Sequence, residues 1–323
     1  MPHVLVAGKL HPAGVSMLRS APGITFDYVE EVSESSYAPL IGKADALVIR
    51  TQPLSAETVA NADCLKVVSR HGVGYDAVHL PSLDMRGIAL TIVGDVNSIS
   101  VAEHAMMLIL AASKRALRGD RAVRESAHWG WRNLLQAEEI SGKRLLIVGY
   151  GRIGRHLARM ASAFGMTIQA FDPYLLQQGW PEGSAEPVAA LADGLAWADI
   201  VSVNVPKADQ PLIGAVELAA MSPGAILVNT ARGGVVEESA LVDALRSGQV
   251  GAAGLDVFDD EPPAADHPLL SFDQVILSPH IAGLTRECGE RMAIASVENV
   301  LNFFAGSIDP QLIVNRNALR ARA

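Results

Sequence analysis

Short apolar runs alternate with helix-period stretches along most of the chain. In the first hundred residues the runs are Val4–Ala7, Ile24–Val29, Ala46–Arg50, Leu65–Arg70 and Ala89–Val93, too short for helices and suited to buried strands. Between them lie amphipathic segments such as Ala13–Arg19 and Ser55–Ala62, the second with Ser55 placed as its N-cap. That alternation predicts a parallel sheet with helices on both faces. Val101 to about Leu117 then predicts a strongly apolar helix, entered through Asn97–His104 and followed by the polar stretch His128–Arg132 with its two tryptophans. The strand–helix pattern resumes with strands at Leu145–Val148, Thr167–Phe171, Ile200–Asn204, Ala225–Thr230, Gly251–Val257 and Val275–Ser278. A long helix from Thr285 to Phe304 follows. The expectation is α/β throughout, with two doubly wound parallel-sheet domains. The second is inserted into the first if the last helix packs back on the N-terminal unit.

Composition narrows the class. A chain of 323 residues, 50% hydrophobic and 19% charged, is long enough for two domains and apolar enough to bury a core in each. A net charge of −9 argues against a nucleic-acid or membrane-surface role. Cys64 and Cys288 make neither a metal site nor a disulfide framework, so reduced thiols in the cytoplasm and no metal are expected. The start of the chain, Met-Pro-His-Val-Leu-Val, lacks a signal-peptide layout. The apolar run Ala105–Ala112 is far short of the ~20 residues that span a bilayer.

The richest stretch is Lys143–Ala158. A buried-strand run ends in Gly149, Gly151 and Gly154, spaced G-x-G-x-x-G with Arg152 and Ile153 between them, and an amphipathic helix follows. Gly149 makes a tight turn, Gly151 admits a pyrophosphate close to the backbone, and Gly154 lets helix and strand pack closely. The helix start offers its N–H groups to the phosphates. A glycine turn alone is weak evidence. Here a second strand ends in Asp172, 18 residues beyond Gly154, where a carboxylate accepts the ribose hydroxyls of NAD and repels the extra phosphate of NADP.

Ligands of open parallel sheets bind beyond the carboxyl ends of the strands. Arg232, Glu261 and His280 each follow a late strand in that position. Hydride transfer to a 2-oxo acid leaves negative charge on oxygen, so the reaction needs a proton donor and a cation beside it. A histidine donates and accepts protons near neutrality, a glutamate on its other nitrogen orients the ring, and an arginine fork matches a carboxylate and the adjacent carbonyl. Singly, a histidine after Ser-Pro also caps turns and Glu261 also suits a solvated loop; together with the glycine loop the three point to catalysis.

Through Ser69–Asp76, Asn97–Glu103, Gly149–Gly154, Asn229–Gly234 and Ser278–Gly283, nearly the whole chain resembles the D-isomer-specific 2-hydroxyacid dehydrogenases, the group that contains 3-phosphoglycerate dehydrogenase and hydroxypyruvate/glyoxylate reductase. The resemblance implies a Rossmann NAD-binding domain, residues 100–286, inserted into a flavodoxin-like substrate domain, residues 1–99 and 287–323. It implies Arg232, Glu261 and His280 as the catalytic trio, with Asp256 on the nicotinamide carboxamide. It also implies that Val205, Pro206, Thr230, Ala231 and Gly283 line the cofactor, that Gly72, Val73 and Gly74 meet the substrate, and that homodimers form through the cofactor domain. His71 departs from the small apolar residue expected there in the phosphoglycerate enzymes. With Arg70 it adds donors to the substrate loop, and the pair either binds a polar or anionic C3 substituent or braces the loop. The length argues against the long phosphoglycerate dehydrogenases and leaves short forms open. The alternative is a NAD(H)-sensing binding protein, since the C-terminal-binding-protein corepressors resemble the same family. A methyltransferase leaves the trio unexplained, and Glu261 weighs against formate dehydrogenase.

Overall fold

Aliphatic runs without polar interruption fold here as parallel strands covered on both faces. The computed structural model describes residues 1–183 and 185–317. They divide into two compact units, Met1–Asn97 with the segment from Leu284 onward, and Ser98–Gly283. Positions 318–323 of the expected substrate domain lie outside the described residues.

The first unit carries β1 (His3–Ala7), α1 (Pro12–Ser20), β2 (Thr25–Val29), α2 (Glu34–Tyr37), β3 (Ala46–Ile49), α3 (Ala56–Ala60), β4 (Val67–Arg70), α4 (Leu80–Arg86) and β5 (Ala89–Thr91). The strands are parallel in the order β2-β1-β3-β4-β5. Ser55 caps α3 as expected, its Oγ accepting from the Thr58 N–H at 3.2 Å. Alternation along each strand sends Leu5, Leu47, Ile49, Val68 and Leu90 to one core with Tyr37 and Leu83. It sends Val4, Val6, Val48, Val67 and Ala89 to a second core.

The second unit runs α5 (Ser98–Ser113), α6 (Ala116–Arg124), β6 (Arg144–Val148), α7 (Arg152–Ala163), β7 (Thr167–Phe171), α8 (Pro173–Gln178), β8 (Glu186–Pro187), α9 (Leu191–Trp197), β9 (Ile200–Val203), α10 (Ala215–Ala220), β10 (Ala225–Asn229), α11 (Glu238–Ser247), β11 (Val250–Leu255) and β12 (Val275–Leu277). Its seven-stranded sheet has the order β12-β11-β10-β9-β6-β7-β8. Connections run to opposite sides of β6, toward β7 and toward β9, which makes the crevice beyond β6 the ligand-binding position for this topology. The last helix, α12 (Arg286–Phe304), is capped by Thr285 Oγ1, which accepts from the Cys288 N–H at 3.1 Å. Its Ala293, Val297 and Val300 complete the second core of the first unit.

The apolar helix expected from Val101 to Leu117 starts earlier and breaks sooner. Arg115 adopts φ 50°, and its guanidinium donates to the Gly251 carbonyl at 3.1 Å, which separates α5 from α6. The tryptophan stretch is a 3-10 segment, Ser126–Leu134. Strands expected to reach Thr230, Val257 and Ser278 stop at Asn229, Leu255 and Leu277, where the chain turns into the loops that carry the polar residues. Among the described residues no helix is long and apolar enough to cross a membrane.

Candidate active site

The glycine loop begins where β6 ends. Gly149 has φ 94°, and a Cβ there would lie 2.7 Å from the Asn204 carbonyl, so both conformation and contact demand glycine. A Cβ on Gly154 would sit 2.3 Å from the Gly149 carbonyl, which is the close packing of α7 on β6. Gly151 meets nothing within 4 Å, so its hydrogen faces an open cradle that a side chain would fill. Arg152 and Ile153 form the first turn of α7 beside it. Asp172, at the end of β7, accepts from the Tyr150 N–H at 3.0 Å and from the Leu175 N–H at 3.1 Å, tying glycine loop to α8. Its carboxylate retains acceptor capacity for further donors.

The exits of β9 and β10 carry Asn204, Val205 and Pro206, and Thr230 and Ala231. Asn204 Oδ1 and Thr230 Oγ1 are buried without a hydrogen-bond partner. Unfilled polar atoms beside an open glycine cradle fit a ligand rich in hydroxyls and amides, as a dinucleotide is.

Toward the other edge of the sheet the polar groups are tied to one another. Asn229 holds the turn after β10, donating to the Arg232 carbonyl at 3.0 Å and accepting from the Ala231 N–H at 3.0 Å. Arg232 Nη1 donates to the Ala231 carbonyl at 2.7 Å. A Cβ on Gly233 would overlap the Phe258 carbonyl at 1.8 Å, and the Gly234 N–H donates to Asp259 Oδ1 at 2.5 Å, so the Arg232 and Glu261 loops are locked together. Glu238 fastens the second loop by accepting from the Asp259 N–H at 3.0 Å and by pairing with His267 at 3.0 Å. Glu261 Oε1 accepts from the Phe258 N–H at 3.1 Å, and its Oε2 lies 2.7 Å from His280 Nδ1. A carboxylate only accepts, so Nδ1 carries the proton and Nε2 is left for chemistry. His280 is 47% exposed and has φ 51°. Asp256 is fully buried and bonded to the turn that bears His280, and Gly283 follows that turn.

The substrate-loop candidates belong to the first unit. Arg70, at the end of β4, donates from Nη1 to the His71 carbonyl at 2.8 Å. The His71 ring is turned inward at 6% exposure, with both nitrogens unpartnered. Burial, and then the Arg50 and Arg70 charges, lower its pKa from 6.5 to about 4, so it is neutral at pH 7. Gly72 has φ 150° and packs 3.2 Å from Arg70 Nη1 at its Cβ position. Val73 joins the small core of Val93, Cys288 and Met292, and Gly74 is half-buried.

Residues 106–282 match the description "D-isomer specific 2-hydroxyacid dehydrogenase, NAD binding domain", more than half of the chain. The chain belongs to the D-isomer-specific 2-hydroxyacid dehydrogenase family. Within that family it is 38% identical over 316 residues to a D-3-phosphoglycerate dehydrogenase of Mycobacterium bovis, covering 97% of this chain and 59% of the relative. The chain thus spans about three-fifths of the phosphoglycerate dehydrogenase it matches. It is 36% identical over 332 residues to a glyoxylate reductase of Aeropyrum pernix, covering 99% of this chain and 98% of the relative. The crystal structure of a Thermus thermophilus protein superposes with a TM-score of 0.87 at 33% identity, over 97% of this chain and 99% of that one.

Within this family member, reading the chain missed four residues that hold the site. Asn229 and Glu238 brace loops, and His104 and Ser278 contact each other beside Asp256. Asn229 and Ser278 open the motifs Asn229–Gly234 and Ser278–Gly283, and His104 directly follows Asn97–Glu103, but a motif does not say which side chains meet 174 positions apart.

Proposed function

We propose that the protein is a NAD-dependent oxidoreductase that interconverts a small 2-hydroxy acid and its 2-oxo acid. The observation that carries the reading is the 2.7 Å contact between His280 Nδ1 and Glu261 Oε2 at the strand ends, on a loop locked to that of Arg232. NAD supplies or accepts the hydride when bound. Gly149, Gly151, Arg152, Ile153 and Gly154 would hold its pyrophosphate, Asp172 its ribose, and Val205, Pro206, Thr230, Ala231, Asp256 and Gly283 the remainder. In reduction His280 Nε2–H gives its proton to the oxygen that gains charge; in oxidation the neutral ring takes it back. Glu261 fixes the tautomer and stabilises the charged ring. The Arg232 fork holds the substrate carboxylate and the carbonyl oxygen. Asp172 favours NAD over NADP by repelling a 2′-phosphate.

The substrate on this reading carries a polar or anionic C3 group, met by Arg70 and His71, with Gly72, Val73 and Gly74 on its carboxylate. The unpartnered His71 nitrogens favour a ligand role. The Arg70 bond to the His71 carbonyl favours a second reading in which Arg70 braces the loop. Two free cysteines suit a cytoplasmic setting. Homodimerisation through the Ser98–Gly283 unit draws support from Leu117, Val123, Trp129, Leu134 and Leu135, all exposed on and after α6.

The test is turnover of glyoxylate, pyruvate, hydroxypyruvate, oxaloacetate and phosphohydroxypyruvate with NADH and with NADPH. Reduction with NADH, best on a substrate with a polar C3, is the expected result. Binding of NADH without turnover of any 2-oxo acid establishes the sensor instead, and equal efficiency with NADPH overturns the role of Asp172.

A further inference from the structure

The turn that presents His280 is hung almost entirely from one buried residue. The His280 N–H donates to the Asp256 carbonyl at 2.8 Å. Asp256 Oδ1 accepts from Ser278 Oγ at 2.5 Å and from the Ile281 N–H at 2.9 Å, and Oδ2 accepts from the Ala282 N–H at 2.8 Å. The Asp256 N–H in turn donates to the Asn229 carbonyl at 3.0 Å, at the end of β10. His280 sits at φ 51°, where a residue with a Cβ stays only if its surroundings hold it. These bonds supply that hold.

The chain of contacts continues to α5. His104 Nε2 lies 2.8 Å from Ser278 Oγ and 3.4 Å from Asp256 Oδ1. The Ser278 hydroxyl has one proton, and the carboxylate can only accept, so that proton goes to Asp256. His104 Nε2 must therefore carry hydrogen and donate to Ser278 Oγ. His104 stands on a helix whose Ala105, Leu108 and Ile109 are buried in the core of the unit. The exposed proton-transfer histidine is thus tied to a core helix through three hydrogen bonds, by way of Asp256 and Ser278.

We propose that His104, Ser278 and Asp256 are positioning residues that fix the His280 ring against Glu261, an inference that rests on reading His280 as the proton donor. Loss of one link leaves the turn able to form but the ring off its line. Such a change acts on proton transfer and not on cofactor affinity.

The experiment compares Ser278→Ala, Ser278→Thr, His104→Ala and His104→Gln with the wild type. It measures kcat, KM and the solvent deuterium isotope effect, NADH dissociation constants by fluorescence, and the 15N NMR signature of the His280 ring without cofactor. Ser278→Ala and His104→Ala should lower kcat about ten- to hundredfold, with KM and NADH affinity within about twofold and a larger solvent isotope effect. The His280 signal should leave the Nδ1–H tautomer pattern. Ser278→Thr and His104→Gln, which keep the hydroxyl and the donor, should restore both readouts. Wild-type kcat and an unchanged His280 spectrum in both alanine variants overturn the proposal, as does a loss confined to NADH affinity. If the wild type turns over no 2-oxo acid, the proposed function fails, while the ring spectrum still decides whether these residues position His280. Ser278→Cys, nearly isosteric, replaces Ser278→Ala should that variant not fold.

Discussion

Beyond β11 and β12, the Asp256 carboxylate, the Ser278 hydroxyl, Glu261 and the Nδ1 of His280 all have partners within 2.5–3.1 Å. Beyond β3 and β4 of the other sheet, both His71 nitrogens, Gln52 Oε1 and Arg50 Nε are buried with none. The exits of β9 and β10 resemble the second case, through Asn204 Oδ1 and Thr230 Oγ1. The contrast therefore does not follow the boundary between the units. On the proposed reading it separates side chains that must hold one geometry during a reaction from side chains that wait for groups supplied by a ligand. Closed networks are preorganised and need no rearrangement as charge develops. Unfilled buried groups carry a standing desolvation cost that a ligand relieves.

The contrast breaks first if the closed end does no chemistry. His280→Asn should lower kcat about a thousandfold, in line with loss of a general acid–base group, with NADH affinity nearly unchanged in a fluorescence titration. A fall of less than about tenfold would place the chemistry elsewhere.

His71 tests the open end through stability. Its folded pKa of about 4 lies below the ordinary 6.5, so the unfolded chain takes up the proton first as pH falls. The stability tied to neutral His71 is complete above 6.5, declines as pH drops from 6.5 toward 4, and is gone below 4. The whole span is worth about 3 kcal/mol. His71→Asn should flatten the difference between denaturation at pH 7 and pH 4.5 by most of that amount. Parallel wild-type and variant curves would show that His71 is not held neutral.

Two smaller effects sharpen the comparison at the cofactor edge. Gly151→Ala has room for its methyl, so it should melt as the wild type does while weakening NADH binding by about tenfold, roughly 1.4 kcal/mol. Thr230→Val removes a buried hydroxyl that bonds to nothing in the unliganded protein. It should raise unliganded stability by about 0.5–1 kcal/mol and weaken NADH binding several-fold, measured by denaturation and titration. Lower stability in that variant would mean the hydroxyl is already satisfied.

Much of the fold was legible because buried parallel strands announce themselves as apolar runs. Thr167–Phe171 is a strand to the residue, and Asp172 follows it as expected. Less legible was whatever depends on distant partners. Nothing local marks Arg115 as the break between α5 and α6; its hold is the Gly251 carbonyl. The two-residue β8 exists only by pairing with β7. At the site, residue types after strands pointed to Arg232, Glu261 and His280. The adjacency of Arg70 and His71, however, hid that one side chain donates to its own loop while the other turns inward.

The return of α12 to the first sheet has a consequence for synthesis. Val4, Val6, Val48, Val67 and Ala89 are translated early, yet Ala293, Val297 and Val300, which help to cover them, emerge about 200 residues later. At roughly 5–20 residues per second the ribosome leaves that apolar face without its last layer for about 10–40 s. Ser98–Gly283 is continuous in the chain and is complete before α12 has emerged. Until α12 emerges, the nascent chain thus exposes the kind of surface that chaperones bind.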